Sequence, residues 1–365
     1  MELRSRLRVL GGKSLSLACV VSLSTELNPN RKVSFQMIRR TFLCLAALMA
    51  GAAAYGADAG PKKLLVVTVT TGFRHSSIET AEKVLAEIGK SSGAFTVDYV
   101  QQPPGQPKNP GRAPEKKPKE TDEAFKTRQA DYSKALADYN TANEVWREQV
   151  KAYMADKMAL DKIKDYDGFI FANTTGDLQF PDREGFVELI KGGKAFIAMH
   201  SGGDTYHPFR GYVDMLGGEF QTHKSQVEIQ PILHNPAHPA TKPIPNGWRV
   251  YDEIYIFKNY DPAKVHALMG LNAHPNENTP GYYPVSWCKD FGKGKVFYTS
   301  LGHREDVWDP TWKADTKDRK NSPEIAKTYQ EHILGGILWS LGLVEGESEL
   351  GNVKATAEAT PEAGN

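Results

Sequence analysis

Short apolar runs alternate with amphipathic segments along the chain from Pro61 onward. The runs in the first half are continuous and rich in β-branched residues, and they predict buried strands at Leu64–Val69, Phe95–Val100, Gly168–Ala172 and Ala195–Met199. Helical spacing follows the first run, with apolar residues at Ile78, Ala81, Leu85 and Ile88. Buried strands separated by helices are typical of a parallel sheet that is covered on both faces.

The second half of the chain continues this pattern. Further strands are predicted at Val227–Leu233, Ile254–Phe257, Val265–Leu271 and Val296–Ser300. Helices are predicted over Pro181–Lys191, which has proline in its first turn, and from Ser322 to about Leu341. The predicted fold class is therefore α/β, with a mostly parallel sheet and helices on both faces. The polar C-terminal tail, residues 346–365, is expected to be disordered.

An insertion, residues 101–162, separates the second and third predicted strands. Its first part, Gln101–Pro118, is rich in proline and lysine and predicts an extended, solvated arm. An apolar stripe with heptad-like spacing then predicts one long helix, through Phe125, Tyr132, Leu136, Tyr139, Trp146, Val150 and Tyr153. We expect this helix to pack on the body of its own protein. The alternative is a surface for self-association, which would make the chain a homo-oligomer.

Residues 1–57 have the pattern of an N-terminal extension that ends in an export signal at about 37–57. Arg39 and Arg40 precede an apolar stretch, Thr41–Ala50, and small residues follow it up to Ala57, which is the order found in a signal peptide. The two arginines also resemble the twin-arginine pattern. We therefore expect an exported protein that is periplasmic or extracellular.

Composition narrows the classes of function. The 365 residues carry 45 Lys+Arg against 44 Asp+Glu, so no basic field is available for nucleic acid. No apolar run after the signal approaches the roughly 20 residues of a membrane span. Cys19 and Cys44 lie in the segment expected to be removed, so an exported chain would keep Cys288 alone and could not form an internal disulfide. Because Cys288 lies in an apolar stretch, we interpret it as a packed thiol.

Three histidines stand directly after predicted strands: His75 after the first, His200 after the fourth and His303 after the last. Ligands of open α/β sheets bind beyond the carboxyl ends of the strands, so these three imidazoles are expected to meet at one edge. Glycine or small polar residues beside each histidine favour a ligand site over ordinary loop positions. Among the other histidines, His223 is the best candidate for the rim of the same cleft.

Short motifs stand at or near the predicted strand ends. In chain order they are Gly72–His75, Asn173–Asp177, His200–Asp204, Asn235–Thr241, Asp252–Tyr255, and Gly292–Tyr298 leading to Leu301–His303. Together they make the chain from about Lys62 to Leu343 resemble the trehalose-utilisation (ThuA-like) family. The resemblance implies one ThuA-like domain over residues 62–343, with a class I glutamine amidotransferase-like, flavodoxin-like fold. The insertion looks like an elaboration of the family core.

The amidotransferase comparison bears on the mechanism. Enzymes of that class place a catalytic cysteine on the turn after a strand and a His-x-Glu after a late strand. Here the turn carries His200, while His303 and Glu305 keep the His-x-Glu spacing. Cys288 lies in a different predicted strand, where it cannot reach the position that a thioester requires. A cysteine-dependent glutamine amidotransferase is therefore not expected.

The candidate catalytic set combines imidazoles and carboxylates: His75, His200, Asp204, Glu253, His303 and Glu305. Such groups suit proton transfer. They also suit a divalent metal such as zinc, for which the candidate ligands are His75, His200, His223 and His303. No close ligand spacing such as His-Glu-x-x-His supports the metal, so the sequence leaves both interpretations open.

The family resemblance implies a carbohydrate context, with breakdown of disaccharides through oxidised keto-sugar intermediates. The first functional hypothesis is an exported enzyme of hydrolase, lyase or isomerase type that acts on a sugar or keto-disaccharide derivative. The alternative is a non-catalytic carbohydrate-binding or accessory protein. Catalysis needs an imidazole with a pKa near neutrality beside a carboxylate, whereas simple binding does not. A small-molecule carbohydrate is the expected partner under both hypotheses.

Overall fold

The computed structural model describes residues 60–314 and 316–353, so the predicted export signal lies outside the described residues. The strands are β1 (Lys62–Val67), β2 (Phe95–Val100), β3 (Gly168–Ala172), β4 (Ala195–Met199), β5 (Glu219–His223), β6 (Val227–Ile229), β7 (Ile232–Leu233), β8 (Val250–Asp252), β9 (Tyr255–Lys258), β10 (His266–Ala273), β11 (Pro280–Phe291) and β12 (Gly294–Thr299). The α-helices are α1 (Ile78–Ser92), α2 (Asp122–Lys157), α3 (Leu160–Ile163), α4 (Arg183–Lys191), α5 (Arg210–Leu216), α6 (Glu305–Trp308) and α7 (Pro323–Ser340). Short 3-10 helices cover His200–Asp204 and Pro262–Lys264.

Within the described residues, eight strands form the main sheet in the order β2-β1-β3-β4-β12-β11-β10-β7. The pairings from β2 through to β12 are parallel, and those from β12 to β7 are antiparallel. The α/β class with a mostly parallel sheet is therefore confirmed. The antiparallel extension was not predicted, because it depends on a hairpin: Gly292, at φ 66°, turns β11 directly back into β12.

The continuous apolar runs become buried strands because alternate residues serve opposite faces of the sheet. On β1, Leu64 and Val66 pack in one core cluster with α1 and α7, whereas Leu65 and Val67 pack in a second cluster with α2, α4 and α5. A strand between two helical layers has no solvent-facing side, which explains the absence of an alternating pattern in its sequence. Helices on both faces are thus confirmed.

The insertion contains the predicted long helix, α2, but the two ends of this helix pack against different parts of the protein. Its last turns contribute Trp146, Val150 and Met154, all buried, to the same cluster as Val67 of β1. Its earlier stripe, Phe125, Tyr132, Leu136 and Tyr139, is only half-buried. The expectation that the helix packs on the body of the protein therefore holds for its C-terminal part.

The proline-rich arm runs beside the N-terminal part of α2. Tyr132 Oη donates a hydrogen bond to the Gly111 carbonyl at 3.2 Å, and Arg128 Nη2 donates to the Glu115 carbonyl at 2.9 Å. These bonds hold the arm antiparallel to the helix, because Glu115, the later of the two arm residues, contacts Arg128, the earlier of the two helix residues. The arm, residues 101–118, contains neither helix nor strand, and it is held along the helix rather than fully solvated. Self-association through this helix stays a prediction.

Replacing Trp146 with alanine is expected to lower the free energy of unfolding by about 3–5 kcal/mol, since the side chain is 2% exposed and its loss leaves a cavity beneath the sheet. Tyr132→Ala, on the half-buried stretch, is expected to cost about 1 kcal/mol. Urea denaturation of both variants measures the contrast. Equal losses would mean that the whole helix belongs to the core.

The first part of the tail that was predicted to be disordered, residues 346–353, is packed against the protein. Gly351 N donates to the Val265 carbonyl at 3.0 Å, and the Asn352 side chain bonds both backbone groups of Ala267 in β10. Residues up to 353 therefore extend the packing along β10, and the rest of the tail lies outside the described residues. The sequence did not predict this contact, because it is made by backbone and side-chain amide groups and needs no apolar residues.

A membrane span is not found in the part of the chain that the structure describes, since none of its helices combines the necessary length with the necessary apolar character.

Candidate metal and catalytic site

The carboxyl ends of β1, β4 and β12 bring three predicted histidines together. β4 and β12 are neighbours in the parallel part of the sheet, and β1 is separated from β4 only by β3. His75 lies on the loop between β1 and α1, His200 directly after β4, and His303 a few residues after β12. The convergence of the three imidazoles follows from the shared direction of these strands.

His200 stands on a sharp turn between a strand and a 3-10 helix. Its φ of 44° lies in the left-handed region, which costs a non-glycine residue roughly 1–3 kcal/mol. The turn requires glycine at the third position, because a Cβ on Gly202 would lie 2.9 Å from Ala198 Cβ and 3.1 Å from the Phe171 carbonyl oxygen. Tyr298 Oη donates a hydrogen bond of 2.6 Å to the His200 carbonyl and holds the strained residue in place.

Four side-chain donor atoms converge around His200. Its Nε2 atom lies 3.2 Å from His75 Nε2 and 3.3 Å from His303 Nδ1. Glu253 Oε2 completes the group, at 3.6 Å from His200 Nε2 and 3.3 Å from His303 Nδ1. Each residue can offer one ligand atom such that all four atoms lie within 4.8 Å of one another. We call these four residues the histidine–glutamate cluster.

Glu253 enters the cluster from outside the main sheet, on the junction between β8 and β9. Its second oxygen, Oε1, lies 3.0 Å from Nδ1 of His223, whose side chain is 43% exposed. The preceding residue, Asp252, is fully buried and accepts hydrogen bonds from the backbone N–H groups of Glu253 and Gly302. The predicted rim histidine, His223, is thus a neighbour of the carboxylate rather than of the other imidazoles.

Burial and mutual proximity set the charges in the cluster. Burial, together with the nearby His200 and His303, lowers the pKa of His75 to about 2, which keeps its imidazole neutral. Burial alone would raise the pKa of Glu253, but its interactions with the neighbouring imidazoles of His200 and His303 outweigh burial and lower the pKa. Burial opposes protonation of His303, yet the hydrogen bond with Glu253 prevails and raises its pKa. The carboxylate is therefore ionised beside at least one neutral imidazole.

Neighbouring groups fix the tautomers and ring positions. His200 Nδ1 lies 2.8 Å from the Ser300 carbonyl, which can only accept, so Nδ1 carries the proton and Nε2 presents a lone pair to the cluster when the ring is neutral. Ser201 Oγ lies 3.2 Å from His75 Nδ1 and orients that ring from its outer side. Bonds of this kind, from the far nitrogen to a fixed polar group, are what metal-binding histidines make.

The loop that carries His303 is held at the preceding residue. The Gly302 carbonyl accepts hydrogen bonds from Ser77 Oγ, Asn173 Nδ2 and Trp308 Nε1, at 3.1, 2.9 and 2.8 Å. Its N–H donates to Asp252 Oδ2 at 2.7 Å. The backbone beside His303 is therefore anchored to β8, α6 and the loops after β1 and β3, which makes the cluster geometry rigid.

Asp204, predicted as a catalytic residue, lies outside the cluster. It ends the 3-10 helix that His200 begins, and four residues at three per turn rotate its side chain by roughly 120° from that of His200. Its Oδ1 atom lies 2.7 Å from His207 Nε2, and His207 Nδ1 lies 2.5 Å from Glu219 Oε2. Asp204 is thus part of a charged bridge between the turn and β5.

The bridge predicts a pH-dependent stability. The hydrogen bond to Asp204, supported by Glu219, raises the pKa of His207 despite partial burial. A raised folded pKa stabilises the protein below the ordinary value of about 6.5, and that contribution is lost as the pH rises through the folded value. The stability deficit of His207→Gln is therefore expected to be larger at pH 6 than at pH 9 in urea denaturation. An equal deficit at both would contradict the charged bridge.

Glu305, also predicted as catalytic, is the first residue of α6 and is not among the four convergent residues. Its charge contributes less to the raised pKa of His303 than Glu253 and Asp252 do. Asp306 takes the buried position instead, accepting two hydrogen bonds from Arg304 at 2.9 Å. The start of a helix after Arg304 separates the two carboxylates, and only the second points inward.

Three contributors to the site were not predicted: Ser201, Asp252 and the Ser300 carbonyl. Each adjoins a residue that was singled out or ends a predicted strand. The sequence carries no signal that separates them from ordinary loop residues, since their roles depend on which groups the fold brings against them.

Cys288, the cysteine of the described residues, is a buried structural thiol in β11. Its Sγ lies 3.7 Å from His238 Nε2, while His238 Nδ1 accepts a hydrogen bond from Ala240 N–H. The neutral His238 ring therefore carries its proton on Nε2 and cannot act as a base toward the thiol. Burial also raises the pKa of Cys288 well above its ordinary value. The interpretation as a packed thiol agrees with these contacts.

Solved structures offer a fold-level comparison. A ThuA-like protein from Parabacteroides merdae is 16% identical, with 79% of this chain and 92% of that chain covered and a TM-score of 0.51. A ThuA-like protein from Bacteroides uniformis is also 16% identical, covering 79% of this chain and 94% of that chain with a TM-score of 0.48. At this identity the first likeness concerns the fold alone.

A comparison with curated proteins finds no match. A family model described as trehalose utilisation (ThuA) matches residues 119–315, more than half of the chain and a span that includes His200, Glu253 and His303. The chain therefore belongs to the trehalose utilisation (ThuA) family.

Proposed function

We propose that this protein is an exported, divalent-metal-dependent enzyme that acts on a sugar or keto-disaccharide derivative. The observation that supports a bound metal is the spacing of the cluster. His75 Nε2, His303 Nδ1 and Glu253 Oε2 lie 3.2 to 3.6 Å from His200 Nε2. Ligands of a tetrahedral zinc ion, at roughly 2.0–2.1 Å from the metal, stand about 3.3 Å apart. The three separations from His200 Nε2, and the 3.3 Å between His303 Nδ1 and Glu253 Oε2, are therefore close to those that a zinc ion requires, and all four atoms lie within 4.8 Å of one another.

The protonation states favour the same assignment. The tautomer of a neutral His200 ring presents a lone pair to its neighbours, and His75 stays neutral, as a metal ligand must. Lone pairs that face one another at this distance repel unless a cation or a proton lies between them. A divalent cation satisfies several of them at once, whereas one proton can be shared by only two.

A bound cation would supply Lewis acidity, polarising a carbonyl or hydroxyl oxygen of the substrate. The family description, trehalose utilisation, supports a carbohydrate as the source of that oxygen. Among the residues of this chain, Glu253 is suited to hold the cation and to orient the imidazoles on both sides of it, because its ionised carboxylate faces His223 through Oε1 and His303 through Oε2. His223 is 43% exposed, so this side of the carboxylate is open to solvent.

A second candidate is metal-free acid–base catalysis by the same residues. The direct contact between His303 Nδ1 and Glu253 Oε2 at 3.3 Å, with the pKa of the imidazole raised and that of the carboxylate lowered, favours an ion pair that can transfer a proton. A binding protein without turnover would need neither feature. The spacing around His200 makes the metal the first choice.

Metal removal separates these candidates. The protein is stripped with a chelator, reloaded with zinc, and incubated with trehalose, maltose, sucrose and their keto derivatives while products are followed by NMR. The metal-dependent enzyme predicts turnover that disappears on stripping and returns with zinc. Turnover that survives stripping would support acid–base catalysis, and sugar binding without turnover in either form would support the accessory protein.

Export remains a proposal from the sequence alone. The paired arginines, the apolar stretch Thr41–Ala50 and the small residues up to Ala57 support it. N-terminal sequencing of the protein recovered from a periplasmic or culture fraction should find a start between about Ala53 and Gly60. An intact Met1 or Met37 in that fraction would contradict cleavage.

A further inference from the structure

Phe73 is an exposed aromatic side chain at the edge of the histidine–glutamate cluster. Its exposed fraction, 67%, exceeds that of the other exposed large hydrophobic residues in the described ranges, Val145, Leu350 and Ile232. Isolated exposed hydrophobic residues are common in proteins and are not by themselves evidence of a binding site. Two further observations distinguish Phe73: the rigidity of its loop and its contact with His75.

The loop around Phe73 is tied down on both sides. Thr175 Oγ1 donates a hydrogen bond of 2.8 Å to the Phe73 carbonyl, and Thr71 N–H donates to the Thr175 carbonyl at 2.9 Å. Arg74 Nη1 reaches back to the Thr68 carbonyl at 3.0 Å. The backbone that carries the exposed ring is therefore held in place and is not a loose loop tip.

The ring of Phe73 stands against the cluster. Its centroid lies 4.9 Å from that of His75, with an angle of 81° between the planes. The contact with His75 uses only part of the ring, since two thirds of the side chain remains accessible. The chain thus presents an exposed apolar surface, carried by a tethered backbone, directly beside a proposed metal ligand.

The accessible polar groups of the site lie in the same region. His303 is 20% exposed and His223 is 43% exposed, and both contact Glu253. An apolar platform beside imidazole donors matches the two-sided character of a pyranose ring, which has a face of C–H groups and a rim of hydroxyls. Aromatic rings favour contacts that place partially positive hydrogens over their negative faces.

We propose that Phe73 is the platform on which a pyranose ring of the substrate stacks beside the cluster. The inference rests on the proposed function for the choice of a sugar, but it concerns binding and needs no turnover. Phe73 is a binding residue in this account and takes no part in proton transfer. It directs one ring of the sugar toward His75 and the accessible edge of His303.

The test measures binding of trehalose to zinc-loaded protein by calorimetry and by saturation-transfer NMR. Phe73→Ala is expected to weaken binding about tenfold, whereas Phe73→Trp should bind at least as well as the wild type. Val145→Ala, at an exposed hydrophobic position on α2, is the matched control and should change nothing. Mannitol, an acyclic polyol with no ring face, should bind much more weakly than trehalose.

The outcomes separate this inference from the proposed function. Equal affinity of Phe73→Ala and wild type for trehalose would overturn the platform while leaving the metal-dependent enzyme standing. Loss of zinc from Phe73→Ala would also overturn it, because the residue would then support the cluster rather than the sugar. If the wild-type protein binds none of trehalose, maltose and sucrose, the proposal that the ligand is a pyranose is refuted. Selective loss of affinity with zinc content unchanged would establish the platform.

Discussion

Replacing His200 with alanine is expected to abolish zinc binding and the thermal stabilisation that zinc confers. His200 Nε2 is the atom to which His75, His303 and Glu253 are all close, so its removal leaves the remaining donors without a common centre. Substitution of groups outside the first ligand shell already costs roughly 10–100-fold in metal affinity, and loss of a ligand should cost more. Zinc at about 1,000 times its Kd would stabilise the wild-type protein by about 4 kcal/mol.

The measurement is the melting temperature with and without zinc, together with metal content by mass spectrometry. The control is His234→Ala, which removes a half-buried histidine that is not among the four residues of the cluster. The control should retain one zinc per chain and the zinc-dependent shift. If His200→Ala keeps both, these side chains are not the ligands.

Replacing Asp306 with alanine is expected to lower the free energy of unfolding by about 3–5 kcal/mol. The carboxylate is fully buried and accepts hydrogen bonds from Arg304, from the Asn321 side chain and from the backbone N–H groups of Lys320 and Asn321. Its removal leaves the Arg304 guanidinium without a buried counter-charge, which is the costly way to break an ion pair. The loop that positions His303 should loosen as a result.

Chemical denaturation near neutral pH measures this loss, with Glu305→Ala as the neighbouring control. Burial opposes ionisation of Asp306, but the hydrogen bonds from Arg304, Lys320 and Asn321 outweigh burial and lower the pKa of this carboxyl. A lowered folded pKa gives stability that is present above the ordinary carboxyl pKa and is lost as the pH falls through the folded value. The difference between wild type and variant should therefore shrink in acid. A cost for Glu305→Ala as large as that for Asp306→Ala would contradict the assignment of the buried carboxylate.

The strand ends, and with them three of the four cluster residues, could be predicted from the sequence. Continuous apolar runs mark parallel strands, and a shared strand direction brings residues such as His75 and His200 to one edge whatever their distance in sequence. This inference needs no knowledge of loop conformation. It succeeded because it depends on topology alone.

Glu253 could be suggested only by the family resemblance, because it reaches the cluster from the β8–β9 junction outside the main sheet. No local sequence pattern shows which part of the main sheet will be contacted by a segment that lies outside it. Asp204 belongs to the motif that begins at His200, and Glu305 completes the His-x-Glu spacing of the amidotransferase comparison. The 3-10 helix and the first turn of α6 rotate them away, which proximity along the chain cannot reveal.

The insertion shows a similar limit. The heptad-like stripe of α2 was recognised as one face, yet Trp146 packs under the sheet while Tyr132 lies along the proline-rich arm. A stripe predicts that something covers it and does not predict what. The two partners differ because the C-terminal end of the helix reaches the sheet and the N-terminal part extends past it.

The most direct test of the central claim is a crystal structure of the zinc-loaded protein with anomalous data collected at the zinc edge. The account predicts one strong peak within roughly 2.0–2.2 Å of His75 Nε2, His200 Nε2 and His303 Nδ1, with Glu253 Oε2 as the adjacent carboxylate oxygen. A protein that takes up zinc elsewhere, or that shows no peak among these atoms, would contradict the metal centre.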